Sequence, residues 1–167
     1  MSLDLSRSFE AELDPLAVIE DALEAGGWAH ERDDGDAVQC VAPTRWGDMG
    51  ALFASREEPA AIHFSVTLDV KPQANRKAAI AELIAFMNER LWLGHFDYWS
   101  EEGVILFRHA LPMLDRDEPT EGEIRSLMAA AIDAADRFVP ALNFVIWAGK
   151  SPREAIEAAL FETEGEA

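Results

Sequence analysis

"LWLGHFDYWSEEGVILFRHALP", Leu91–Pro112, is the stretch on which the fold turns. Two apolar arms flank Ser100-Glu101-Glu102-Gly103, and the pattern predicts a β-hairpin. Side chains alternate across a strand, so a hairpin lying on a core normally shows one apolar face and one polar face. Here neither face is polar. Phe96 and Tyr98 fall on one side of the first arm, Asp97 and Trp99 on the other, and the second arm runs Val104-Ile105-Leu106-Phe107 without a break. Both faces are expected to be covered. The side of Phe96 and Tyr98, which carries no charge on its own arm, is assigned to the chain's own core, and the side of Trp99 and Asp97 to contact with a second chain. Two registers are open. If Ser100 closes on Val104, His95 faces His109 and Trp99 meets Ile105; a one-residue shift pairs Asp97 with Arg108 and Trp99 with Leu106. The candidate interface is therefore Trp99, Leu106, Ile105 and Asp97.

The rest of the chain supplies a sheet for this hairpin to join. In "AAIHFSVTLDV", Ala60–Val70, the residues Ile62, Phe64, Val66, Leu68 and Val70 alternate with His63, Ser65, Thr67 and Asp69, which is the period of a half-buried strand. Upstream, "WAHER" and "AVQCVAP" flank Asp33-Asp34-Gly35-Asp36 and read as another hairpin, and "WGDMGALFAS" reads as a strand weakened by Gly47 and Gly50. Helices are marked by their ends. "ELDPLAVIEDALEAGGW" has Asp14 to cap it, Pro15 at the first helical position and Gly26-Gly27 to stop it. A long helix is expected over about Asn75 to Trp92, with Ile80, Leu83, Ile84, Met87 and Leu91 at helical spacing and Gly94 beyond its end. Thr120 and Glu123 form a capping box ahead of Ile124, Leu127, Met128, Ala131, Ala135 and Phe138. Pro140 is expected to break or bend that helix, after which "ALNFVIWAG" suits either a helix or a buried extended segment. Ser151 and Glu154 make a second capping box before a short helix carrying Ile156, Ala159 and Leu160. Tight turns make the strands antiparallel, and helices gathered on one face give a two-layer α+β domain. The expected organisation is an extension at 1–13, one domain over 14–163 and an acidic tail at 164–167.

Two longer segments, "NERLWLGHFDYWSEEG" with "FRHALP", and "RFVPALNFVIWAGKSPREAIEAALFET", resemble the YbjN family of bacterial proteins. The likeness runs from about Asp14 to Thr163 and is one of whole segments rather than of a catalytic signature. The family is named for a sensory or transduction regulator and is assigned to the type III secretion chaperone-like fold, so the resemblance implies an α-β-β-β-α-β-β-α order. Secretion chaperones are small, acidic, dimeric proteins that hold partner segments against their sheet. By analogy the resemblance implies a homodimer with a protein partner. It carries over no functional residue.

Composition narrows the choice of function. A chain of 167 residues is long enough to bury roughly 70% of its unfolded surface without staples. Its one cysteine, Cys40, excludes an internal disulfide and suits a reducing compartment. No basic, apolar leader is read at the N-terminus, and the apolar runs are too short for a bilayer, so a cytoplasmic protein without membrane partners is expected. The balance of 14 Lys plus Arg against 32 Asp plus Glu, a net charge of −18, repels phosphate backbones and argues against nucleic acid. Trp28, Trp46, Trp92, Trp99 and Trp147 each adjoin an apolar segment and are expected mostly in the core, with Trp99 the interface candidate.

Catalytic chemistry is weakly represented. His95, His109 and Asp97 would meet at a metal only in one hairpin register, and neither His-Glu-x-x-His nor a cysteine cluster supports them. Cys40 has only His30 as a local base, and a lone cysteine in a strand is usually an inert small hydrophobe. Glu57-Glu58 and Glu101-Glu102 lie in turns, where carboxylates are solvated. "WGDMG" lacks the Lys and the strand–loop–helix setting of a phosphate loop. No catalytic residue, metal ligand or cofactor is assigned. The reading is a non-enzymatic protein-binding or chaperone-like regulatory module. The alternative is a small-ligand-sensing regulatory domain with its pocket between sheet and helices, and an undiscovered enzyme comes third.

Overall fold

The computed structural model describes residues 14–164, so the expected extension at 1–13 and most of the acidic tail lie outside the described residues. The chain runs α1 (Pro15–Ala25), β1 (His30–Arg32), β2 (Ala37–Thr44), β3 (Gly47–Glu57), β4 (Ala60–Thr67), α2 (Lys77–Asn88), β5 (His95–Trp99), β6 (Val104–Pro112), α3 (Glu121–Ile146) and α4 (Pro152–Glu164). The six strands form one antiparallel sheet in the order β1-β2-β3-β4-β6-β5. This is the expected α+β architecture, with one strand more between α1 and α2 than the order implied by the resemblance. The addition is β1, a three-residue edge strand paired to β2.

All four helices lie on one side. α1 and α3 pack together over β2, α3 also reaches β6, α2 lies along β5, and α4 rests on α2 and α3. Alternation therefore sorts the sheet cleanly. Val38, Cys40, Phe53, Ile62, Phe64, Val66, Ile105 and Phe107 point at the helices and join one core. A file of phenylalanines crosses it. Phe53 stacks on Phe64 at 4.4 Å, Phe64 meets Phe107 edge-on at 6.5 Å, Phe107 meets Phe96 at 5.7 Å, and Phe96 meets Phe138 of α3 at 5.9 Å. Edge-to-face contacts of this kind add to the area they bury. The file ties β3, β4, β6, β5 and α3 into one packing unit.

The caps form as the sequence predicts. The Asp14 carboxylate accepts the Leu16 N–H at the start of α1, and the Thr120/Glu123 and Ser151/Glu154 pairs each exchange their side-chain and backbone bonds. Other expectations are corrected. The helix expected over Asn75 to Trp92 is shorter: a 3₁₀ turn at Ala74–Arg76 leads into α2, which stops at Asn88. Gly50 does not cut its strand short, for β3 is 11 residues long. Pro140 neither breaks nor ends α3, which runs 26 residues through "ALNFVI". The reason is local. Proline has no N–H, so the Asp136 carbonyl four residues back loses its helical donor. The indole of Trp46, in the β2–β3 turn, donates to that carbonyl at 3.0 Å, and the Arg45 N–H donates to the Asp136 carboxylate at 2.7 Å. At the other end of α3, Arg76 donates to the Val145 carbonyl.

Neither expected hairpin register forms. Trp99 pairs with Val104, Asp97 with Leu106 and His95 with Arg108, because the loop has four residues, Ser100 to Gly103, with Gly103 at φ +68°. Phe96 thus lies opposite Phe107 on the core side, and Leu106 turns outward. The tryptophans are also corrected. Only Trp28 packs partly against the core, whereas Trp46, Trp92, Trp99 and Trp147 are exposed.

Candidate functional site

The side of the sheet away from the helices is the surface that remains uncovered among the described residues. The hairpin places three of the four sequence-predicted interface residues there. Asp97, Trp99 and Leu106 face outward; Ile105 lies opposite Tyr98 on the inner side and is fully buried in the core.

Asp97 organises this corner. One carboxylate oxygen accepts the indole N–H of Trp99 at 3.1 Å and an Arg108 N–H at 3.1 Å, and the other accepts the Tyr98 N–H at 3.0 Å. The Asp97–Arg108 ion pair anticipated from one register is thus present, but as a diagonal pair, since Arg108 stands two residues beyond Asp97's cross-strand partner. Both side chains are about a third exposed, so the Coulomb term is worth at most about 1 kcal/mol. The geometric effect matters more. The Trp99 ring is 46% exposed yet tied by its N–H. A large aromatic that is exposed and already ordered loses little freedom on binding. Leu106 is only 4% exposed, although it faces the uncovered side.

The remainder of this face is small, mixed and electrically balanced. The outward positions of β2–β6 include two acids, Asp48 and Asp97, and two arginines, Arg56 and Arg108. They cancel, in a chain whose net charge is −18. Glu31, on the short β1, adds an acid at the far edge. On β3, Gly50 leaves a shallow hollow of about 330 Å³ bordered by Gln39, Leu52, Ser65 and Thr67. In the sequence this glycine reads only as a weak point in a strand. A strand glycine also marks a place where something else can approach closely, and that signal was available.

The edge of the sheet beside this corner is closed. At the end of α2 the Asn88 carboxamide accepts the Phe96 N–H at 2.7 Å and donates to the Phe96 carbonyl at 3.0 Å, as a neighbouring strand would. Asp97 takes the Tyr98 N–H, the next donor along that edge. Edge strands blunted in this way resist pairing with another chain.

The other chemical candidates are dispersed. His95 is outward and His109 inward, so the metal site imagined between them is not assembled, and no cluster of three metal-ligating side chains occurs among the described residues. His109 borders a hollow of about 400 Å³ under the start of α3, with Leu93, Leu111, Thr120, Glu123 and Ser126. Burial lowers its pKa, and His95 lowers it further. Thr120 and Glu123 are engaged in the cap there, and Ser126 donates to the Gly122 carbonyl. Cys40 does pair with His30 across β1 and β2, but its thiol points into the core, 4.0 Å from the Met128 sulfur, and burial pushes its pKa up to about 12. A thiol so strongly protonated is a poor nucleophile.

No helix among the described residues is long and apolar enough to cross a membrane. No curated protein matches the chain. A family does match, from the first residue of α1 to within two residues of the end of α3, described as "Putative bacterial sensory transduction regulator". The matched segment, residues 15–144, includes the whole sheet, the Asp97 corner and the helices α1 and α2, and by this match the chain belongs to the YbjN family.

Proposed function

We propose that the chain is a non-enzymatic regulatory module that works by binding protein, that the outer face of the sheet is its binding surface, and that a second copy of the chain occupies that surface. The observation that supports this best is the charge balance. Two copies carrying −18 each repel at long range, so they associate only through a patch that adds no repulsion of its own. The outward positions of β2–β6 form such a patch, with two acids against two arginines. Trp99 gives the patch an ordered aromatic anchor, the kind of residue that dominates binding energy. The single cysteine, Cys40, suits a cytoplasmic setting, and the acidic field disfavours nucleic acid.

Sedimentation equilibrium of the wild type and of Trp99→Asp tests the proposal. The wild type is expected to dimerise at tens of micromolar, roughly the range where moderate interfaces are saturated. Trp99→Asp is expected to keep its circular dichroism spectrum and lose the dimer, because it places an unpaired charge in the contact. A monomeric wild type, or a Trp99→Asp variant that stays dimeric, refutes the reading.

One observation favours the ligand-sensing alternative: the hollow at His109 lies between sheet and helices. Thr120, Glu123 and Ser126 already have partners there, so few polar groups remain to recognise a ligand. The sheet face is the stronger candidate.

A further inference from the structure

The hollow under the start of α3 is lined in a way that selects its occupant. Its volume of about 400 Å³ falls in the range of small-molecule sites. Leu93 from the α2–β5 connection, Leu111 of β6 and Leu127 of α3 give it apolar walls. Gly122 keeps it open. It is the second residue of α3, a helical position where glycine is less stable than alanine. Its φ is not in the left-handed region, and a Cβ there would meet only the Thr120 hydroxyl oxygen, at 3.9 Å. Neither backbone nor packing calls for glycine here. A longer side chain would share a helix face with Ser126, four residues on, and so enter the hollow that both residues line.

Polar recognition rests on one side chain. The Glu123 carboxylate accepts from Arg116 and Thr120, the Thr120 hydroxyl serves the cap, and Ser126 donates to the Gly122 carbonyl. The His109 ring has no hydrogen-bond partner among the described residues. Burial and the neighbouring His95 both favour its neutral form, which offers one N–H and one acceptor nitrogen. A charged ligand finds no counter-ion, because Glu123 is already paired with Arg116 and the imidazole is uncharged. We propose that the hollow is a binding site for an uncharged amphiphile, with a short aliphatic body against the three leucines and one hydroxyl, carbonyl or amide group on His109. The site lies on the helix side of the sheet, so it goes beyond the outer-face reading and does not depend on it.

The probe is n-hexanol, compared with hexanoate and hexylamine, which share its chain and differ in charge. NMR of protein labelled in its leucine methyls and histidine rings follows each titration into the wild type, Gly122→Met and His109→Leu. Circular dichroism confirms the fold of each. In the wild type, n-hexanol should shift the signals of His109, Leu93, Leu111 and Leu127 together and saturably. Hexanoate and hexylamine should bind at least about tenfold more weakly, since each would bury a charge without a partner. Gly122→Met should abolish saturable binding by filling the hollow. His109→Leu should weaken n-hexanol by about two- to tenfold, the worth of one hydrogen bond. Shifts in the wild type that do not saturate, hexanoate or hexylamine binding as tightly as n-hexanol, or a folded variant that binds like the wild type overturns the proposal. The charge series and His109→Leu decide it even where Gly122→Met fails to fold. None of these readouts is the oligomeric state, so failure here and failure of the outer-face reading are separate results.

Discussion

Gly94 shows how much one residue can determine. It has φ +72°, a conformation other residues adopt with difficulty, and a Cβ there would run into the fully buried Phe107 ring. Gly94→Ala is therefore expected to cost about 1–3 kcal/mol, typical of overpacking in a tight core, with further cost from the backbone. Urea denaturation monitored by circular dichroism measures it, and an unchanged midpoint refutes the account. The sequence marks Gly94 as a helix stop, but α2 ends six residues earlier and the glycine instead lets the chain pass close to Phe107. That role is invisible in the sequence because it depends on a side chain 13 residues away. The tryptophans are misjudged for a related reason. Local apolar context brings an indole near a core, but only the assembled layers decide whether the ring faces in. Trp92 and Trp147 sit in the segments that follow α2 and α3, beyond the layer that would have covered them.

At the level of elements, caps and strand periods were legible because they are written over three to eight neighbouring residues. Both capping boxes, the Asp14 cap and the alternation of β4 are examples. The hairpin register was not legible. It depends on which residues close the loop, and Ser-Glu-Glu-Gly suits more than one closure. A one-residue error there exchanges Leu106 for Ile105 on the outer face and so alters half of the candidate site. The continuity of α3 was also hidden, since Pro140 normally argues against it and Trp46, 94 residues away, supplies the missing donor. The sequence-distant pair should be energetically coupled. Trp46→Phe is expected to destabilise by about 1 kcal/mol, the net worth of one hydrogen bond. In a Pro140→Ala background, where residue 140 regains its own N–H for Asp136, the same change should cost clearly less. Urea midpoints of the four proteins give the cycle, and equal losses in both backgrounds would exclude the coupling.

For the molecule as a whole, charge controls behaviour in acid. Arg32 holds the Asp14 carboxyl below its usual range, Arg116 does the same for Glu123, and bonds from Ser151 do so for Glu154. A carboxylate whose pKa is depressed by folding stabilises the folded state above its unfolded value, and this is lost as pH falls through the folded pKa. His109 acts in the same direction at higher pH. Burial lowers its pKa from 6.5, so below that value the unfolded chain takes up the proton first and stability falls. Thermal unfolding from pH 8 downward should show a small decline beginning near the ordinary histidine range and a larger one below about 4. His109→Leu should remove only the first, and a flat profile between pH 7 and 5 would exclude the His109 contribution. The bracket that Asn88 places on Phe96 has a consequence for assembly size. A sheet that grows sideways has no natural last member, since each added strand exposes a new edge. Here the carboxamide already fills the position of the next strand, and the opposite margin is only three residues long. If two chains stack through the sheet face proposed here, each covers the face that the other presents. A particle built that way would stop at two and would not grow sideways into a fibre.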